Sequence, residues 1–571
     1  MTNETPNTET QRFDREIPLI IIDKFRPLNV DDEVEIPGYI AISTATNNAE
    51  DDERESLLTN LNLSVDSPDT RDDERESLLT NLNLSVDSPD TRAENFAFQT
   101  ENYLQEIAQR LSKVNINDPE IVIAVHGFNN NYNSVRAWYK DIHRYINADP
   151  TINRRDVIFI GYRWPSENFI DHLILSIVHA FEALPILPRN IFFAGLLISL
   201  LLLTILIIFY KKILIFAFGL TTIITSLILT LIILRLVVYF RDCYRAAYFG
   251  TPDLVELVRQ LDRVIFQRNP NNKVKLSFLG HSLGCSVITN AIRILSDAFD
   301  PLSIGNLNPY RTEKRPTNKI GRIFQLERLI LVAPDIPVES VIPRRSNFLR
   351  SAIRRVKEAH VFTNEGDLAL RLASTAANYF SFPAKTRFSG YRLGNLTVKH
   401  FNNSEDKSGN FPQYGIINSF NSLPFKHLEI RSSNTEHRNL EETPFYPWVA
   451  NNLNDVTNRL SYYDCTDYFD FSDLDLINVN VQRSIVSLAV SKPSLNLLDY
   501  GKLLFAYVRN TFNSKVGVDT HGGYFHGEFG KKLIYRLAFV GFRQLCTSLR
   551  PQTLHQVCQE KKIQVVLSHR D

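Results

Sequence analysis

Lys273–Val287 reads KVKLSFLGHSLGCSV. Lys273–Leu279 is a short apolar, strand-like run that enters Gly280-His281-Ser282-Leu283-Gly284, a G-x-S-x-G pattern. A nucleophilic serine needs a sharp strand-to-helix turn, and small residues two before and two after it let the chain fold back that closely. A helical stretch, Cys285–Ile294, follows. Strand, serine turn and helix in that order are the context that gives the motif chemical meaning. The bland alternative is a glycine-flanked turn that starts a helix.

A second piece lies upstream. Glu120–Val125 (EIVIAV) is a buried-type strand that ends in His126-Gly127-Phe128-Asn129. Acyl transfer places negative charge on an oxygen, and preorganised backbone N–H groups must receive it. One donor is expected from the residue after the nucleophile, Leu283, and the other from the loop after the earlier strand, at Phe128. His126 and His281 read as structural histidines, not bases.

Around these pieces strands and helices alternate: a helix over Asn133–Ala148 with Asn133 or Ser134 as N-cap, then a strand at Asp156–Tyr162. A helix at Asp253–Gln267 and strands at Leu326–Val332 and His360–Thr363 follow. Short apolar strands alternating with helices predict a parallel sheet covered on both faces. Further strands are expected at Leu396–Phe401 and His427–Arg431, and helices at Asn496–Arg509 and Leu533–Leu549.

In combination, EIVIAVHGFNNNYNSVRAWYKDI, GYRWPS and LSFLGHSLGCSV resemble the α/β-hydrolase superfamily, in particular a lipase-like bacterial group known as α/β-hydrolases of unknown function. LVAPDIP (Leu331–Pro337), VFTNEGDLALRL (Val361–Leu372) and DTHGGYF (Asp519–Phe525) extend the resemblance, which spans roughly Glu120–Phe169 and Tyr244–Phe525. It implies a Ser-acid-His triad in that chain order. The acid is expected just past the strand at Ala359–Thr363, which selects Asp367 over Asp335, the alternative after the preceding strand. The histidine is expected on a loop after the final strand, where His521 sits in a glycine-rich stretch; His526 and His437 are the fallbacks. The resemblance thus implies Ser282 as nucleophile, His521 as base and Asp367 as its orienting carboxylate, acting on an acyl ester or lipid, with no metal or other cofactor.

The composition agrees in its exclusions. Of 571 residues, 63 are Lys or Arg and 63 are Asp or Glu, so there is no basic excess for nucleic acid. With 44% hydrophobic residues the chain is not generally disordered. Five widely spaced cysteines without a CxxC pair suit a reducing compartment. The polar start, Met1–Gln11, has no secretory signal pattern.

Two uncharged apolar runs, Ile191–Tyr210 and Ile213–Leu234, flank Lys211-Lys212. Each is long enough for about 30 Å of hydrocarbon, so a transmembrane helical hairpin inserted at 170–240 is expected, with the lipid bilayer as partner. Arg189, Arg235, Arg241 and Arg245 at its outer ends favour a cytoplasmic globular part. Asp51–Arg71 is copied without change at Asp72–Arg92, acidic and linker-like. The expected organisation is an N-terminal segment with first strands (1–50), the repeat (51–92), the first part of the catalytic domain (93–169), the hairpin, and the remainder (241–571) with an irregular insert at 382–516. The acidic run Asp464–Asp475 reads as solvated surface. The competing function is a catalytically silent scaffold of the same fold held at a membrane.

Overall fold

The computed structural model describes residues 19–25, 36–45, 89–112, 118–166, 239–296, 317–337, 349–371, 392–401, 413–417, 429–430, 459–470 and 518–568, with isolated positions between them. Both apolar runs of the expected hairpin lie outside the described residues, as do residues 46–88, which hold most of the repeat. Among the described residues no helix is long and apolar enough to cross a membrane.

Ten described strands form one sheet. β1 (Ile20–Lys24) pairs antiparallel with β2 (Gly38–Ser43) at one edge. Inward from β2 lie β4 (Val157–Arg163), β3 (Glu120–Val125), β5 (Val274–His281), β7 (Phe324–Val332), β8 (Glu358–Thr363) and β12 (Leu460–Asp464), each parallel to the one before it in this order. β13 (Gln564–Val566) closes the far edge antiparallel to β12, and the two-residue β6 (Lys319–Ile320) pairs with β7. β9 (Thr397–Phe401), β10 (Gln413–Ile417) and β11 (Glu429–Ile430) form a separate antiparallel sheet.

The central strands are continuous apolar runs because both faces are covered. On β3, Ile121, Ile123 and Val125 join the core on one side, and Val122 and Ala124 join the other. The first side is packed by α1 (Pro89–Leu111), α3 (Thr251–Arg268), α4 (Leu283–Leu295) and α5 (Arg350–Arg355). The second is packed by α2 (Tyr132–Ala148), α6 (Glu528–Phe539), α7 (Phe542–Ser548) and α8 (Leu554–Glu560). Burying each large apolar side chain contributes about 1.5–3 kcal/mol.

Several expectations shift. α2 is capped by Asn131, whose side chain accepts from Ser134 N–H at 2.8 Å, two or three residues before the expected cap. The stretch read as one helix at Leu533–Leu549 is two, because Gly541 takes φ +86° between α6 and α7. The last four residues of the repeat, Pro89 to Arg92, already belong to α1. β12 lies in the stretch read as irregular and is buried at all five positions. The acidic run beginning at Asp464 is not simply solvated. Asp464 accepts from Thr466, and Asp470 accepts from Tyr468 Oη, Phe529 N–H and Lys561 Nζ; both carboxylates are buried.

Ser166 Oγ–H donates to Asp242 Oδ2 at 3.0 Å, so these two residues, 76 positions apart in the chain, are neighbours in the fold. Tyr239 and Phe240, read as part of the insertion, are helical here, and Tyr239 is buried. Arg245, read as a flanking charge, is buried as well, while Arg241 pairs with Asp242 at 3.1 Å.

Candidate active site

β5 runs directly into the serine turn and α4 starts at once after it. Ser282 sits at φ +54°, ψ −124°, a backbone conformation that a non-glycine residue holds only when its surroundings impose it. The imposition is visible. Ser282 N–H donates to Val332 O on β7 at 2.9 Å, and Ser282 O accepts from Cys285 N–H and Asp335 N–H at 3.1 Å each. The flanking glycines are there for contact. A Cβ on Gly284 would stand 2.4 Å from His126 O, and one on Gly280 would stand 2.9 Å from Cys285 Cα.

The expected acid and histidine, 154 positions apart, meet: His521 Nδ1 lies 2.7 Å from Asp367 Oδ2. Asp367 follows β8 and is fully buried; its other oxygen accepts from Leu370 N–H at 3.0 Å. His521 is held by a local turn, in which Asp519 Oδ1 accepts from His521 N–H and Gly522 N–H at 3.0 and 2.9 Å. Asn364 Nδ2 ties the two loops by donating to Thr520 O at 2.9 Å. His521 does not follow the last strand of the sheet, as expected, but lies between β12 and β13.

The imidazole of His521 lies between the neighbours of the serine and of the upstream loop. Its centroid is 4.9 Å from His281 and 6.2 Å from Phe128. His521 Nε2 and Ser282 Oγ are both buried and have no hydrogen-bond partner among the described residues. Burial works against a charged His521, but Asp367, its hydrogen bond and the charges of Asp519 and Asp335 outweigh that and raise the imidazole pKa. Burial also raises the Asp367 carboxyl, with His521 pulling the other way.

Asp335, the alternative acid, is committed elsewhere. Its carboxylate is 2.9 Å from Arg392 Nε, and Arg392 Nη2 donates to Tyr239 Oη at 3.0 Å. His526 is exposed on the rim of a neighbouring cleft, and His437 lies outside the described residues. His126 is packed flat on Trp164 at 5.1 Å, with Nδ1 2.7 Å from Gly127 O. Burial lowers the pKa of both His126 and His281 to about 3, which keeps them neutral.

The two expected oxyanion donors differ in origin. Leu283 N–H is the first of α4 and so has no intrahelical acceptor. Phe128 N–H has no acceptor among the described residues. The N–H groups after it are taken, Asn129 by Asp242 at 3.0 Å and Asn130 by Ser166 Oγ at 3.2 Å. Sequence reasoning missed Asp242 and Ser166, and the only sequence signal was a lone carboxylate among arginines just past an apolar run. A cleft of about 770 Å³ adjoins the loop, with Gly127, His281, Trp138, Phe525 and Tyr535 among its lining residues. A Cβ added to Gly127 would stand 3.3 Å from Ser282 Oγ, so the glycine lets this loop pack directly against the serine.

No curated protein and no solved structure matches the chain. Residues 246–411 match the model of a family described as an alpha/beta hydrolase of unknown function, a stretch that holds Ser282, Asp335 and Asp367 but neither Phe128 nor His521. Together with the mostly parallel sheet covered by helices, that match supports placing this domain in the α/β-hydrolase superfamily.

Proposed function

We propose that the chain is a serine hydrolase of the esterase or lipase type, which cleaves an acyl ester through Ser282, His521 and Asp367. The observation that carries this reading is the Asp367–His521 hydrogen bond beside a strained serine whose Oγ, like the outer nitrogen of His521, is buried without a partner. An unsatisfied buried polar atom costs about 1–3 kcal/mol, and such costs are kept where a reaction uses the atoms.

The roles follow from the groups. Ser282 Oγ attacks the acyl carbon while its proton passes to His521 Nε2. The carbonyl electrons move onto oxygen, which receives hydrogen bonds from Phe128 N–H and Leu283 N–H. The tetrahedral intermediate collapses, the acyl–oxygen bond breaks, and His521 returns the proton to the leaving alkoxide. Water, deprotonated by the same imidazole, then releases the acid from Ser282. Asp367 holds Nδ1–H in the productive tautomer and stabilises the imidazolium.

The same reading puts the domain at a membrane, with a lipid or other apolar ester as substrate. Its support is the pair of apolar runs in the sequence between Ser166 and Tyr239, with Ser166 and Asp242, on either side of that stretch, hydrogen-bonded beside the loop after β3. Tyr244 and Tyr248, exposed and stacked at 4.4 Å, follow the second run within fourteen positions. Exposed aromatic side chains near the ends of apolar spans are typical of membrane interfaces.

Pre-steady-state hydrolysis of a p-nitrophenyl ester tests the chemistry. A burst of one nitrophenolate per chain, absent in Ser282→Ala, is the expected outcome. A linear trace that Ser282→Ala leaves unchanged removes the hydrolase reading.

A further inference from the structure

The loop after β3 is held by a relay that begins outside the catalytic set. Asp242 Oδ2 accepts from Asn129 N–H at 3.0 Å and from Ser166 Oγ–H at 3.0 Å. Ser166 Oγ in turn accepts from Asn130 N–H at 3.2 Å. Asn130 Nδ2 closes the inner edge by donating to Gly127 O and Phe128 O, at 3.2 and 3.0 Å. Asn129 sits at φ +58°, in the left-handed region that asparagine adopts more readily than other non-glycine residues.

We propose that Asp242 is a positioning residue for acyl transfer: it holds the Phe128–Asn129 peptide directly and Asn130 N–H through Ser166, and Asn130 Nδ2 on Gly127 O then sets the Gly127–Phe128 peptide, so that Phe128 N–H points at the developing oxyanion. The inference rests on the hydrolase reading above. Two observations carry it beyond a structural tie. Asp242 is completely buried, and Arg241 Nε and Nη2 hold its other oxygen at 3.2 and 3.1 Å, which balances its charge beside a site that must accept an anion. The two N–H groups that it fixes, one directly and one through Ser166, are those next in line after the donor, so of the three N–H groups from Phe128 to Asn130 that of Phe128 alone stays uncommitted among the described residues. Asp242 also lies only eight positions past Leu234, the end of the second apolar run, so the chain leaving that run and the oxyanion loop share one anchor.

Kinetics on the full chain in detergent micelles, with Asp242→Ala and Asp242→Asn, test this. Asp242→Ala should lower kcat about 100-fold, as loss of an aimed oxyanion donor does. KM should change less than about threefold, and an aryl trifluoromethyl ketone, which mimics the tetrahedral state, should bind weaker by the same factor as kcat falls. Asp242→Asn can still accept from Asn129 and should lose less than about tenfold. If kcat per fluorophosphonate-titrated site in Asp242→Ala equals that of the parent chain, Asp242 only supports folding and the proposal fails. Amide exchange gives a readout independent of turnover. Asn129 and Asn130 should exchange fast in Asp242→Ala and stay protected in Ser282→Ala; equal protection in Asp242→Ala also overturns the proposal. A parent chain that neither turns over ester nor labels would sink the hydrolase reading instead, while the exchange data would still report on the relay.

Discussion

His521 Nδ1 stands 2.7 Å from Asp367 Oδ2, and the second buried carboxylate near that imidazole, Asp335, is paired with Arg392 at 2.9 Å. Two acids therefore face one histidine with different partners. Asp367→Asn should lower kcat by about 10³–10⁴-fold, because the amide favours the wrong imidazole tautomer. Asp335→Asn, which leaves the Asp367 bond intact, should cost less than about tenfold. Steady-state ester hydrolysis by the two variants separates them, and the reverse order would make Asp335 the working acid.

The pH profile has a definite sign. His521 acts as a base only when neutral, and its pKa is raised above the ordinary 6.5 by the neighbouring carboxylates, against the pull of burial. The acid limb of kcat/KM should therefore have its midpoint above 6.5, with activity lost as pH falls through it. Residual activity in Asp367→Asn should show that midpoint moved to lower pH, since the largest charge holding the imidazolium is gone. A midpoint below 6.5 in the parent chain would contradict the assignment of His521.

Stability should depend on a different carboxylate. Glu120, at the start of β3 and fully buried, pairs with Arg328, lies 3.2 Å from Arg155 and accepts from Ser277 Oγ at 2.6 Å. Glu120→Ala leaves Arg328 buried without its carboxylate, which costs about 3–5 kcal/mol. Thermal unfolding should show a large fall in Tm. A shift of under 2 °C would mean that solvent or another acid replaces it.

The proposed membrane attachment can be tested by excision. Because Ser166 and Asp242 touch, a short glycine-serine linker can replace residues 167–238 and keep Tyr239, Arg241 and Asp242 in place. The full chain should sediment with membranes after an alkaline carbonate wash. The excised chain should be released and should keep turnover on a water-soluble ester, with a larger loss on a vesicle-embedded one. Release of the full chain by carbonate would remove the bilayer as partner.

The central sheet was legible because strands buried on both faces are plain apolar runs, as in EIVIAV and LILV. The serine turn was legible because its glycines are forced by contacts of under 3 Å. β12, LSYYD, escaped because it is polar in composition and its burial depends on distant partners; Ser461 Oγ accepts from Ser568 N–H at 2.9 Å. The split of the last long helix turned on Gly541 alone, which a helical period does not reveal. Asp242 was hidden for a related reason. Beside an apolar run its neighbouring arginines read as membrane flank, and only the fold brings Ser166 and Asn129 to it.

The central claim is that Ser282 is a nucleophile armed by His521. Incubation of the folded chain with a fluorophosphonate, followed by peptide mass mapping, tests it most directly. The account predicts one phosphonyl adduct per chain on the Ser282 hydroxyl, with His521→Ala slowing its formation by about 10³-fold or more. A folded chain that takes no adduct, or one that carries it on another residue, would contradict the account.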